Sequence, residues 1–139
     1  MKTLRTLTSL LLALLMLMLA SCADVEKTGA WESAEYDRDT TLGKGEKTIT
    51  VLVTAEEQTL TFTIHTDKTT LGEALGEHNL IDGEEGAYGM YVKYVNGIEA
   101  DYNVDQTYWG VFLNGVLAPT GVDGITITDG GEYELRKTK

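Results

Sequence analysis

Nucleophilic or metal-dependent catalysis needs a reactive side chain with a partner at workable spacing, and this chain offers few of either. Its histidines are His65 and His78 and its only cysteine is Cys22. With no H-x-x-x-H or C-x-x-C pair, the parts of a zinc site or a triad are missing. Beyond Cys22 the sole serine is Ser33. Asp101-Tyr102-Asn103-Val104-Asp105 has the acid spacing of an EF-hand start, but Gln106 stands where that loop needs glycine and Phe112 where it needs a bidentate glutamate. The run reads as a solvated polar loop, with a loose oxygen-only calcium site on Asp101, Asn103 and Asp105 as the alternative. Glu84-Glu85 and the acids of Asp37–Asp39 read as surface charge. The expectation is a protein that binds rather than catalyses, with no catalytic residue, metal ligand or resident cofactor assigned.

Aromatic side chains are the stronger chemical signal. Tyr108 and Trp109 are adjacent in a run of strand character, and neighbouring strand residues point to opposite faces, so at most one of them packs in the core. The other stands on the outer face or edge, where, with Tyr88 and Tyr91, it would stack on a flat ligand such as a corrin, an aromatic vitamin or a sugar ring. The competing reading makes Trp109 the core tryptophan and Tyr108 a surface strand residue of high β-propensity. The residues alone leave both open.

Cys22 carries a different chemistry. Lys2 and Arg5 precede an apolar run of Leu, Met and Ala from Leu10 to Leu19, and Leu19-Ala20-Ser21-Cys22 closes it. That is the layout of a secretory signal rather than a fold element, and the run is shorter than the ~20 residues a membrane span needs. The segment resembles those of bacterial lipoproteins, which implies residues 1–21 as a signal peptide and Cys22 as a lipidated N-terminus. Each buried lipid CH₂ adds about 0.8 kcal/mol, so two or three acyl chains anchor firmly. The expected location is the outer face of the cell membrane, with the membrane itself as a partner through the lipid on Cys22.

Loss of residues 1–21 removes two cations and no acid, taking the formal charge from −11 to −13 over 118 residues. So acidic a surface repels phosphates and excludes a nucleic-acid partner. The remaining length suits one domain. Residues 22–30 read as lipidated N-terminus and tether, and residues 31–139 as the domain, because Trp31 and Tyr36 are too apolar for a spacer.

The elements that must position the aromatics follow from periodicity. Ile49, Val51 and Val53 alternate with threonines, as do Leu60, Phe62 and Ile64, and a short link makes these two strands a hairpin. Thr70-Leu71-Gly72-Glu73 fits a capping box opening one short helix that ends near His78. Gly83–Gly89 reads as an acidic glycine-rich loop, Met90–Val95 as a strand, and Tyr108–Leu113 with Val116–Ala118 as a hairpin about Asn114-Gly115. A last strand covers Tyr133–Lys137. This order predicts an α+β fold: a β-grasp-like mixed sheet of about five or six strands with one short helix on one face, with a small open β-barrel as the alternative.

Taken in order, Thr70–Leu75, Gly86–Val92, Val95–Ile98, Tyr108–Gly115, Thr120–Val122 and Asp129–Leu135 resemble the transcobalamin C-terminal-like family, a domain of unknown function frequent in lipoproteins of Gram-positive gut bacteria. The resemblance runs from the Trp31-Glu32-Ser33-Ala34 opening to Lys139. In the animal cobalamin carriers the related domain caps the vitamin on a helical barrel, with an aromatic-plus-hairpin segment facing it. The resemblance thus implies cobalamin or another flat cofactor as ligand and Tyr88, Tyr91, Tyr108, Trp109, Phe112 and Asn114 as binding residues. It also implies a vitamin transporter or surface protein as partner. The helical barrel is absent here, so half of that cage is missing, and a cell-surface module contacting protein or glycan is the alternative function.

Overall fold

The computed structural model describes residues 27–139; residues 1–21, Cys22 and most of the expected tether lie outside the described residues. The alternating apolar pattern forms β2 (Lys47–Ala55) and β3 (Gln58–Thr66), paired antiparallel from Lys47↔Thr66 to Ala55↔Gln58. Ile49, Val51, Val53, Leu60, Phe62 and Ile64 point to one face and are buried, while the alternating threonines face outward. Around this hairpin, β1 (Thr40–Gly43) adds in parallel to β3, and β9 (Glu132–Thr138) in parallel to β2. β7 (Tyr108–Leu113) then pairs antiparallel with β9, and β8 (Val116–Leu117) ends the six-stranded order β1-β3-β2-β9-β7-β8.

The α+β class and the mixed six-stranded sheet agree with the sequence. A separate three-stranded sheet does not. β4 (Ile81–Gly86), β5 (Gly89–Val95) and β6 (Ile98–Glu99) form an antiparallel β4-β5-β6 meander. Gly83–Gly89, expected as a loop, is mostly strand. Its glycines and acids have poor strand propensity, but the ladder to Met90–Val95 supplies hydrogen bonds that override propensity, with a bulge at Asp82/Gly83. Likewise Thr40–Gly43, where the sequence predicts no strand, is recruited as an edge strand. Among the described residues two α-helices are present rather than one: α1 (Leu71–Gly76) and the single turn α2 (Tyr102–Asp105). The capping box of α1 is formed, with Thr70 accepting from the Glu73 N–H and the Glu73 carboxylate accepting from the Thr70 N–H.

One buried cluster joins both sheets and the helix between them, from Leu71, Ala74 and Leu75 of α1 to Val92, Val95 and Ile98 of the small sheet. Both tryptophans belong to it, and each hides its N–H by donating to a backbone carbonyl: Trp31 to Ala55 at 3.0 Å and Trp109 to Ile98 at 3.1 Å. The first ties the N-terminal segment to the β2–β3 turn, and the second ties the large sheet to the small one.

Asn96 is the main buried polar pin. It opens the tight β5–β6 turn at φ 51°, a left-handed conformation asparagine tolerates better than most residues. Its side chain accepts from the Tyr36 N–H at 2.8 Å and donates to the Tyr36 carbonyl at 3.0 Å, while its backbone N–H donates to Leu80. Removing that amide strands both Tyr36 groups. Asn96→Ala is expected to lower unfolding free energy by about 3 kcal/mol, since buried polar groups left unpaired cost roughly 1–3 kcal/mol each. Urea unfolding monitored by circular dichroism would measure it, and a loss below about 1 kcal/mol would contradict the pin.

Candidate functional site

β7 is held between β9 and β8, and its alternation sorts the expected site residues. Trp109 and Val111 point inward; Tyr108, Gly110 and Phe112 lie on the outer face. Trp109 is 7% exposed and bonded through its ring nitrogen, so it is a core residue and presents no face for stacking. Tyr108 and Phe112 are half-buried, and they converge on Gly110. A Cβ at Gly110 would stand 3.0 Å from the Phe112 ring, 3.1 Å from Leu117 and 3.5 Å from the Tyr108 ring. The absent side chain lets the three neighbours close into one aromatic and aliphatic patch, with Leu117, the cross-strand partner of Phe112, as its exposed edge.

The patch has a charged frame. The Arg136 guanidinium lies 4.1 Å above the centroid of Phe112, a cation–π contact, and is itself held by Glu134 through Nε at 3.0 Å and Nη2 at 2.8 Å. Thr54 donates its hydroxyl to the same Glu134 at 2.9 Å. Arg136 therefore holds the Glu134 carboxyl below its ordinary value, against an opposing push from burial and with help from Thr54. The arrangement offers a flat apolar surface with a fixed planar cation beside it. Glu134, fully engaged, is poorly placed to move a proton.

The remaining candidates stand elsewhere. Tyr88 projects from the β4–β5 turn at 99% exposure and Tyr91 is exposed on β5, both on the small sheet. Among the described residues the close ring pair is Tyr36 with Phe62, at 5.5 Å, so the candidate aromatics do not stack on one another. Asn114 sits at φ 52° in the β7–β8 turn and lines a cleft of about 460 Å³ with Thr126, Thr128, Glu132 and Tyr133. A second cleft, of about 380 Å³, lies between Glu35, Asn79, Asp82 and Tyr94. Neither cleft was visible in the sequence, because each assembles residues from distant segments.

The acids of the calcium alternative are folded into capping instead of converging. Asp101 accepts from the Asn103 N–H at 2.9 Å as the N-cap of α2, and Asp105 accepts from the Thr107 N–H at 3.1 Å and from its hydroxyl. The expected solvated loop is thus a helical turn. Among the described residues no three His, Cys, Asp or Glu side chains gather in a way that would hold a metal ion. His65 bonds Thr48 at 2.9 Å, and the Nε2 of His78 faces Glu77 at 3.9 Å, so the two histidines serve separate places.

Comparison with known proteins follows the same pattern. Residues 68–135 match the model of a domain of unknown function, DUF4430. The structure of a proposed metal binding protein from Ruminococcus gnavus ATCC 29149 is 35% identical, covers 68% of this chain and 98% of its own, and superposes with a TM-score of 0.64. The chain belongs to the DUF4430 family. This bears out the resemblance to the transcobalamin C-terminal-like family carried by the motifs. Haptocorrin, in a complex with Cbi, shares the fold at TM-score 0.51 and 22% identity, covering 67% of this chain; the DUF4430 chain corresponds to only 25% of haptocorrin. No curated protein matches the chain.

The ion pair beside the patch makes a pH prediction. Because the folded-state pKa of Glu134 lies below its ordinary value of 4.5, its stabilisation is complete above that pH and is lost as pH falls through the lower folded value. Wild type should exceed Glu134→Gln by roughly 1 kcal/mol at neutral pH after allowance for solvent screening, and the gap should close in acid. Thermal unfolding of both proteins from pH 7 to 2 measures this; a gap independent of pH would contradict it.

Proposed function

We propose that this DUF4430 protein is a non-catalytic binding module that captures a flat ligand, cobalamin or a comparable cofactor, on the outer end of β7. The observation that carries the reading is the convergence of Tyr108, Phe112 and Leu117 on Gly110 beside the fixed Arg136 guanidinium. A half-exposed aromatic surface of this kind gains from covering by a planar partner. Haptocorrin, named with Cbi, lends the reading support through its fold alone. The metal binding proposed for the Ruminococcus gnavus protein finds no gathered ligand set among the described residues here.

The module would act on the outer face of the cell membrane, tethered by lipid on Cys22 and passing its ligand to a vitamin transporter or partner domain. The alternative, a surface module contacting protein or glycan, is favoured by Tyr88, which at 99% exposure is an aromatic side chain offered entirely to solvent.

Two experiments test this reading. The chain from residue 23 onward, titrated with cobalamin and other flat cofactors, should show saturable tryptophan quenching. Tyr108→Ala should weaken binding by about fivefold, near 1 kcal/mol for one stacking contact. No response from a cooperatively folded protein would refute flat-ligand capture and favour the surface module. In a bacterial host, Cys22→Ser should abolish lipid labelling and release the protein from the membrane; continued membrane retention with no lipid would refute the anchor.

A further inference from the structure

We propose that the cleft between the β7–β8 turn and the Thr126–Glu132 loop binds a saccharide. The inference goes beyond flat-ligand capture and shares only Asn114 with it. The cleft, about 460 Å³, falls in the roughly 300–1,000 Å³ range of small-molecule sites. Its polar lining residues are Asn114, Thr126, Thr128 and Glu132, all exposed. None of these four side chains finds a hydrogen-bond partner among the described residues, whereas Glu134 and Asp129 nearby in sequence are both engaged.

Tyr133 adds a buried group to the same wall. It is 6% exposed, and its hydroxyl accepts from the Thr128 N–H at 3.0 Å. The hydroxyl's own proton has no acceptor among the described residues, and Tyr133 is part of the cleft lining. Side-chain amide, hydroxyl, phenol and one carboxylate together provide both donors and acceptors, the complement of a polyol. Buried Ile125 gives the cleft an apolar face for ring C–H groups. A single carboxylate falls short of a cation site, and the acidic charge of the chain disfavours anions.

The loop is also rigid before any ligand arrives. Gly130 N–H donates to Thr48 at 2.8 Å, Gly131 N–H to Thr128 at 3.0 Å, and the Gly131 carbonyl accepts from the Thr50 N–H at 2.9 Å. Asp129 in turn accepts from the Thr48 N–H at 2.8 Å. Gly131 must lack a side chain, since a Cβ there would stand 2.5 Å from the Tyr133 hydroxyl. Such preorganisation spares the ordering cost of binding.

The test is an amide NMR titration of the purified protein with glucose, galactose, mannose and N-acetylglucosamine at millimolar concentrations. At least one sugar should give saturable shifts at the Asn114, Gly130 and Gly131 amides. Asn114→Gly, which keeps the positive-φ turn, and the exposed Glu132→Gln should each weaken it roughly tenfold through loss of a hydrogen bond. Absence of saturable shifts at those amides with all four sugars, or unchanged affinity in both variants, would overturn the proposal. Flat-ligand capture is read separately, by tryptophan quenching and the Tyr108 variant, so either proposal can fail without the other.

Discussion

The outward surface of this domain depends on Trp109 being turned inward. Once its indole is committed to the carbonyl of Ile98, the strand alternation leaves no choice about Tyr108 and Phe112, which must lie on the opposite face. A tryptophan in this place buries a large apolar area and must also satisfy its N–H. The small sheet supplies both, through the carbonyl and through Ile98, Val92 and Val95 in the shared core. The contact that joins the sheets thereby also presents the aromatic patch.

Several polar devices hold the same framework at other points. Asn96 replaces a missing strand partner for Tyr36, and Trp31 closes the opposite end against Ala55. These contacts run between segments far apart in sequence, with Tyr36 and Asn96 separated by 60 residues. Such long-range closure suits a chain whose single cysteine allows no internal disulfide. At the patch, the Glu134–Arg136 pair fixes the charged border, so a ligand meets a cation already in place.

Much of the large sheet was legible because its inner face is buried and its outer face is not: Ile49, Val51, Val53, Leu60, Phe62 and Ile64 state that asymmetry directly. The two Asn-Gly turns were legible for a backbone reason, since both asparagines adopt positive φ. The small sheet was hidden. Its first strand, Ile81–Gly86, is acidic and glycine-rich, and it is strand only because β5 pairs with it. The site divided along the same line. Tyr108 and Phe112 could be read from alternation once Trp109 was placed, but period two does not say which face is inside when both neighbours are aromatic. The clefts left no local signal at all, because Asn114, Thr126 and Glu132 meet only through tertiary pairing.

The central claim, that Trp109 is an internal strut rather than a ligand platform, is tested most directly by hydrogen exchange at its indole N–H. The account predicts that this proton, like that of Trp31, exchanges only with global unfolding, so that its rate tracks the stability of the core amides. Exchange of the Trp109 indole within the dead time of the measurement, while the Trp31 indole stays protected, would contradict it.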